Sequence, residues 1–280
     1  LRLAPASVPP ELNLNMVSNE TDLPHIRAQS YGVRSGYYSA AFLLQRIIAD
    51  KLDVDPTEIE IADISRKALN DDTDRFVAEI ILTDELPNGS GFVRHLYKNF
   101  EAILSDTILP PAEKVYLKKI HSDSHSGSCY DSCYECLKVY RNMNYHSLLD
   151  WRLALSMMRM MNDETFVCGA DKNFDFVELR GWLDNAIGLR DSFVQSFGYT
   201  HKEEVNGLPI IKWGQDKKNI IAIVHPFWNV ANLNYDENWL AKTITALRKY
   251  KDASGGSLSI IDTFNLHRRP GWCYEKLVIR

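Results

Sequence analysis

The sequence predicts a mixed α/β protein in which a zinc-stabilised module is followed by a small α/β region. Two kinds of hydrophobic periodicity point to the α/β class: apolar stripes at helical spacing alternate with short β-branched runs. The third observation is the crowded run Cys129-Tyr-Asp-Ser-Cys133-Tyr-Glu-Cys136, a C-x3-C-x2-C pattern directly before a helical segment. The expected organisation is an N-terminal arm over 1–34, a zinc-binding domain over 35–165 and a C-terminal domain over 166–280.

The arm is polar and Pro-containing, with Pro5, Pro9 and Pro10, and is expected to pack on other parts of the protein. A start at Leu1 rather than Met, with this Pro-rich lead, is expected of a segment from a longer protein. Tyr37, Ala41, Leu44, Ile48 and Leu52 fall on one face of a helix predicted over 35–52, which Asp53-Val-Asp55-Pro56 stops. Strands follow over 58–64 and 76–82, with the polar stretch 70–74 as their turn. The loop Asp84-Glu-Leu-Pro-Asn-Gly-Ser-Gly91 leads into a helix striped by Phe92, Leu96, Phe100, Ile103 and Leu104. Ser90 is its expected cap, and its first amides are a candidate seat for an anion such as phosphate, against a plain strand-to-helix turn.

Pro110-Pro111 breaks the chain before a short helix to Ile120. Helices are predicted over 137–142 and 147–161, and the second is rich in Met and reads as buried core. The C-terminal domain reads as helices over 176–187 and 189–197, strands over 209–213 and 219–225, a helix over 237–250 and a strand over 258–262. The turn before that last strand is Asp252-Ala-Ser-Gly-Gly-Ser.

Composition sets limits on function. With 280 residues, 45% hydrophobic and 25% charged, the chain is an ordinary globular one, long enough to bury a core. A net charge of −5 excludes holding nucleic acid by bulk electrostatics and leaves only local basic patches. Five cysteines, three of them clustered, do not form a secreted disulfide framework. They point to a reduced, cytoplasmic chain with a metal site. No apolar run approaches the roughly 20 residues of a membrane span, and no signal peptide is visible, so no membrane partner is expected.

Closely spaced cysteines supply two or three ligands to a tetrahedral Zn²⁺. Cys133 and Cys136 bite from a tight knuckle, Cys129 adds a third sulfur, and the fourth ligand is open among His121, His125 and His146. The alternative, a redox pair, needs a low-pKa thiol in a thioredoxin-like setting, which is not found around these residues. Cys168 and Cys273 stand apart and read as buried thiols. No G-x-x-x-x-G-K-[ST] stretch is present, so no phosphate loop for ATP is recognisable. Lys118 with Lys119, Lys138 with Arg141, and Arg268 with Arg269 are candidate contacts to a nucleic-acid backbone, against the plainer reading of solvated surface. The C-terminal α-β-β-α-β order also fits a degenerate restriction-endonuclease-like domain. Such a nuclease needs an acidic cluster with a lysine to hold Mg²⁺, and the second strand, Ile-Ile-Ala-Ile-Val-His, has no Glu-x-Lys. A packing domain without catalytic residues is expected.

Several motifs agree in order. They are Gly36-Tyr-Tyr-Ser-Ala-Ala-Phe-Leu-Leu-Gln-Arg46, Leu86-Pro-Asn-Gly-Ser-Gly-Phe-Val-Arg94, Cys133-Tyr-Glu-Cys-Leu137, Tyr140-Arg-Asn142 and His146-Ser-Leu-Leu-Asp-Trp-Arg-Leu-Ala154. As a set, over roughly 30–160, this resembles the C-terminal zinc-binding module of MrfA-like superfamily-two DNA helicases. It is also similar to DrmB-type proteins of anti-phage systems such as DISARM and to the large helicase of Druantia. The tail, with Val224-His-Pro-Phe-Trp228 and Asp262-Thr-Phe-Asn-Leu-His-Arg-Arg-Pro-Gly-Trp272, is similar to the ends of some of these helicases.

The resemblance implies a structural zinc, a place beside helicase motor domains in cis or on a partner subunit, and work on DNA in antiviral defence or repair. ATP hydrolysis would then belong to domains before Leu1 or to the partner. Four clustered cysteines are expected in the MrfA-type site, whereas three stand here. The rival readings are a free-standing nuclease or thiol oxidoreductase, and a pure protein-interaction scaffold.

Overall fold

Pro24 starts the first helix eleven residues before the periodicity predicts, because proline's fixed φ suits a first helical turn. The computed structural model describes residues 1–69, 75–86, 89–231 and 238–279, so the turn expected over 70–74 lies outside the described residues. Helix α1 (Pro24–Leu52) ends where expected, with Asp53 at φ 53° before Pro56. The chain forms two units, and α1 contributes to both: 10–13, 17–33 and 167–280 form one, 1–9, 14–16 and 34–166 the other. The arm is therefore divided between them. Among the described residues no helix is long and apolar enough to cross a membrane.

The unit that carries the clustered cysteines is built on a three-stranded antiparallel sheet ordered β1-β3-β2, from β1 (Arg2–Leu3), β2 (Ile59–Ala68) and β3 (Phe76–Asp84). A bulge between Ile61 and Asp63 interrupts β2, one of the two edge strands. Ile59, Ile64, Val77, Ile80 and Leu82 turn into the core. Tyr37 of α1 is fully buried there, and its hydroxyl accepts from the Ala78 amide (2.9 Å) while donating to the Leu14 carbonyl (3.3 Å). That satisfied hydroxyl lets a tyrosine sit in the core.

The single helix expected after Gly91 is two, α2 (Phe92–Lys98) and α3 (Phe100–Ile108), divided at Asn99. Short helices α4 (Val115–Ile120) and α5 (Asp123–Ser128) follow. The helix predicted over 137–142 is a 3-10 turn at Tyr140–Tyr145. Helix α6 (Trp151–Asn162) begins four residues later than predicted, because the Asp150 carboxylate accepts from the Arg152 and Leu153 amides (2.9 and 3.1 Å) and fixes the start. Its side chains from Leu153 to Met160 are all buried, so the methionines are core.

In the other unit the two predicted helices are one, α7 (Trp182–Phe197), with Gly188 inside it. The sheet has four strands ordered β4-β5-β6-β7: β4 (His201–Val205), β5 (Leu208–Trp213), β6 (Asn219–Val224) and β7 (Leu258–Asp262). The first three form an antiparallel meander; β7 joins β6 in parallel after the crossover helix α8 (Trp239–Ser254). The order is thus α-β-β-β-α-β, one strand more than expected. Ile220 to Val224 are consecutively buried, as in a strand covered on both faces. Residues 11–13 pair backbone to backbone with 227–229, through Asn13 N to Phe227 O (2.8 Å) and Asn229 N to Glu11 O (2.7 Å). Two short helices end the chain, α9 (Thr263–Arg268), capped by Asp262, and α10 (Pro270–Lys276).

Candidate metal centre

Ser122 caps α5 by accepting the His125 amide (3.2 Å), and this places His125 on the first turn, facing inward and buried. Cys129 leaves the end of α5. Cys133 and Cys136 sit on a tight knuckle, closed by Cys136 N to Cys133 O (3.1 Å) and Lys138 N to Cys133 O (3.0 Å). One ligand atom from each of His125, Cys129, Cys133 and Cys136 lies within 4.8 Å of all the others.

The spacing matches a tetrahedron. Zn–S bonds of about 2.3 Å and Zn–N of about 2.0–2.1 Å give S···S edges near 3.8 Å and S···N edges near 3.6 Å. Here Cys129 and Cys136 sulfurs are 3.9 Å apart, Cys133 and Cys136 3.6 Å, and Cys133 Sγ and His125 Nε2 3.6 Å. His125 Nδ1 lies 3.1 Å from the Ile120 carbonyl, which can only accept, so Nδ1 carries the proton and Nε2 keeps its lone pair for the centre. Trp151 packs against the same ring at 5.0 Å.

Electrostatics agree with a cation here. Cys136 is drawn down to about 4, first by its hydrogen bond with Cys129, then by His125 and the Cys133 amide. Cys129 is pushed up by its bond to Cys136 and by burial, and Cys133 by burial and the nearby Cys136 charge. One thiolate forms readily, and further ones need positive charge, which a divalent metal supplies. The outer layer is equally built. Trp151 Nε1 and Arg152 Nη1 both donate to the Cys129 carbonyl (3.1 Å each), Arg152 also reaches Tyr130 O (2.6 Å) and Ser126 O (2.9 Å), and Tyr116 donates to Cys136 O (2.7 Å).

The other two histidines stand outside the cluster. His121 Nε2 donates to Thr107 O (2.9 Å). His146 Nε2 lies 3.0 Å from Val139 O and 2.9 Å from Asn142 Oδ1, where it closes the turn after the knuckle instead of reaching the sulfurs. Cys168 and Cys273 are buried, as expected, in the other unit.

Of the basic candidates, Lys118, Lys119, Lys138 and Arg141 share a unit with the cysteines. Lys118 and Arg141 are exposed, Lys138 is half-buried, and Lys119 pairs with Glu135 at 2.9 Å. Arg268 and Arg269 belong to the other unit. Arg269 lies between the rings of Tyr31 and Trp272, at 4.2 and 4.1 Å, and donates to Asn265 Oδ1 (2.7 Å), while Arg268 covers Phe264 at 4.7 Å. Both are tied into packing.

The anion seat before α2 is filled from within. Asp84 accepts from the Gly91 and Val93 amides (2.8 and 2.9 Å), so a carboxylate of the chain takes the place expected for phosphate. Gly91, at φ 83°, is the N-cap in place of Ser90. Pro87 and Asn88 lie outside the described residues.

The sequence pointed to the sulfurs but missed the supporting pair Trp151 and Arg152, whose signal was their place at the head of a helix behind the cysteine run. No curated protein and no solved structure matches the chain. Residues 40–137, about a third of the chain, match the family model of the MrfA Zn-binding domain, and that stretch contains all four members of the cluster. Residues 40–137 are thus similar to the MrfA Zn-binding domain, and the cluster of His125, Cys129, Cys133 and Cys136 within them supports a structural Zn²⁺.

Proposed function

We propose that the chain is the zinc-binding accessory region of a bacterial DNA helicase or helicase-associated protein, acting in antiviral defence or DNA repair. The observation that carries this reading is the coincidence of the MrfA Zn-binding match with a complete His/Cys3 cluster. A filled tetrahedral site leaves no open position for a substrate or activated water, so the zinc serves the fold and not a reaction. It fixes α5, the knuckle and the head of α6 relative to each other, and so holds Lys118, Lys138 and Arg141 on a rigid support. Motor domains in cis or on a partner subunit supply ATP hydrolysis, and this region adds weak, local DNA contacts beside them.

The alternative, a degenerate restriction-endonuclease-like or scaffolding role for the C-terminal unit, is favoured by its α-β-β-β-α-β order. The interior strand β6 reads Asn-Ile-Ile-Ala-Ile-Val and offers no carboxylate, and Asp262 at the end of β7 is buried as the cap of α9. The test is DNA binding by the purified chain across a salt series, alongside nuclease assays with Mg²⁺. The proposal predicts weak, salt-sensitive binding without cleavage. Mg²⁺-dependent cleavage, or no binding even at low salt, would contradict it.

A further inference from the structure

The zinc knuckle and the turn behind it expose aromatic rings, of which Tyr134 leans edge-on against His146 at 5.7 Å. Tyr140 is 82% exposed, Tyr134 66%, and Tyr145 37%. The three tyrosines lie within twelve residues of one another in the chain, with Lys138 and Arg141 between them in sequence, and clustered exposed rings mark interaction surfaces. Among the described residues no ion pair within 4 Å engages Lys138 or Arg141, and the Arg141 charge reaches only as far as helping the Thr57 hydrogen bonds to lower the exposed Asp55 carboxylate.

Tyr145 borders a cavity, with Val139 and Arg141, the chain neighbours of Tyr140, in the same lining. Tyr145 stacks on Tyr38 of α1 (5.1 Å between centroids, 26° between planes) and leans on Phe42 (5.2 Å). These three rings and Arg141 form one wall of a cavity of about 330 Å³, and the outer edge of β2 around its bulge forms the other. That is the lower end of the range for small-molecule sites and is large enough for a nucleobase. The cavity is not cationic. Glu60, Asp63 and Glu85 line it, and Arg141 alone brings positive charge.

We propose that this face binds single-stranded nucleic acid: Tyr134 and Tyr140 stack bases, Lys138 and Arg141 hold the phosphates, and the cavity beside Tyr145 takes one unstacked base. The charge pattern sorts the parts of a nucleotide. Carboxylates repel phosphate but accept hydrogen bonds from the amino and imino edges of bases, as acidic side chains do on exposed base edges. The guanidinium at the rim is where a phosphate fits. Flat π-faces beside cations are the sequence-tolerant way of holding single strands. A duplex hides its base faces and cannot use them. The inference rests on the nucleic-acid reading above and narrows it to one face and one strand state.

The experiment is fluorescence anisotropy on the zinc-loaded chain with a short mixed-sequence DNA, single-stranded and as its blunt duplex. The single strand is expected to bind more tightly. Tyr140→Ala should weaken that binding about tenfold, within the range of one stacked base, and Tyr140→Phe should restore it. Tyr140→Ala should leave the salt slope unchanged, while Arg141→Ala should flatten it by about 0.7 for each phosphate released. Ala62→Phe, which fills the cavity from the exposed bulge of β2, should also weaken binding. Zinc content and the thermal melt of each variant verify the fold. Wild-type affinity in Tyr140→Ala or Ala62→Phe, or a duplex bound as tightly as the single strand, overturns this inference while leaving DNA binding standing. No binding to either DNA overturns both.

Discussion

His125 divides its two nitrogens between structure and metal. Nδ1 is committed to the Ile120 carbonyl, so Nε2 is left as a ligand, and Trp151 holds the ring. Cys133→Ser removes one corner of the site and is expected to abolish zinc binding and lower the melting temperature sharply, since a structural zinc contributes folding energy outright. Cys168→Ser alters a buried thiol in the other unit and should keep its zinc, with a loss of about 1–3 kcal/mol. Equal zinc content in the two variants would contradict the assignment. The three sulfurs were legible because a C-x3-C-x2-C run leaves few other uses for them. The histidine was not, because His121, His125 and His146 all lie close in the chain. Only the carbonyls at Thr107 and Val139, which spacing does not reveal, claim the other two.

His225 gives a pH prediction at the same scale. It is fully buried at the end of β6, and burial lowers its pKa to about 3, while Nδ1 accepts the Phe227 amide (3.2 Å). The folded protein keeps it neutral, whereas the unfolded chain protonates it below about 6.5. Its contribution is therefore fully present above that pH and is lost as pH falls toward 3, by up to about 1.4 kcal/mol per unit. Denaturation midpoints of wild type and His225→Gln between pH 7 and about 4 check this. The wild type should lose stability more steeply, and parallel curves would contradict the buried neutral imidazole.

Elements were legible where periodicity was strong and missed where local chemistry decided. Helix α1, strands β2 and β3 and the strands β5 to β7 follow their apolar patterns. Strand β4 reads His-Lys-Glu-Glu-Val, with no apolar alternation, and exists because it pairs with β5 through a two-residue turn. Asn206 and Gly207, at φ 53° and 89°, are the sequence signal for that turn. A Cβ at Gly207 would meet only the Lys172 side chain at 3.8 Å, so the strain of Gly207→Ala is in the backbone alone. The expected cost is about 1–2 kcal/mol in chemical denaturation, and a neutral effect would contradict the hairpin geometry. The late start of α6 has the same kind of cause. Asp150 offers its carboxylate to two amides, and a single cap outweighs the helical pattern that runs back to Ser147.

At the scale of the whole molecule, the mixed α/β class was legible from composition and periodicity, and the division of the arm was not. Residues 10–13 and 17–33 belong to one unit and 1–9 and 14–16 to the other, an arrangement set by backbone pairings such as Asn13 with Phe227 and β1 with β3. Such pairings leave no trace in periodicity. The absence of a phosphate loop sets one prediction here: the isolated chain should not hydrolyse ATP, with or without DNA. Turnover stimulated by DNA would place the motor within this segment and overturn the proposed division of labour.

Fold and site both depend on one structural zinc at His125, Cys129, Cys133 and Cys136. Metal analysis with X-ray absorption at the zinc edge tests it most directly. The expected result is one zinc per chain with three sulfur neighbours at about 2.3 Å and one nitrogen at about 2.0–2.1 Å, the nitrogen being lost in His125→Ala. A fully folded chain without metal, or a nitrogen neighbour that persists in His125→Ala, would contradict it.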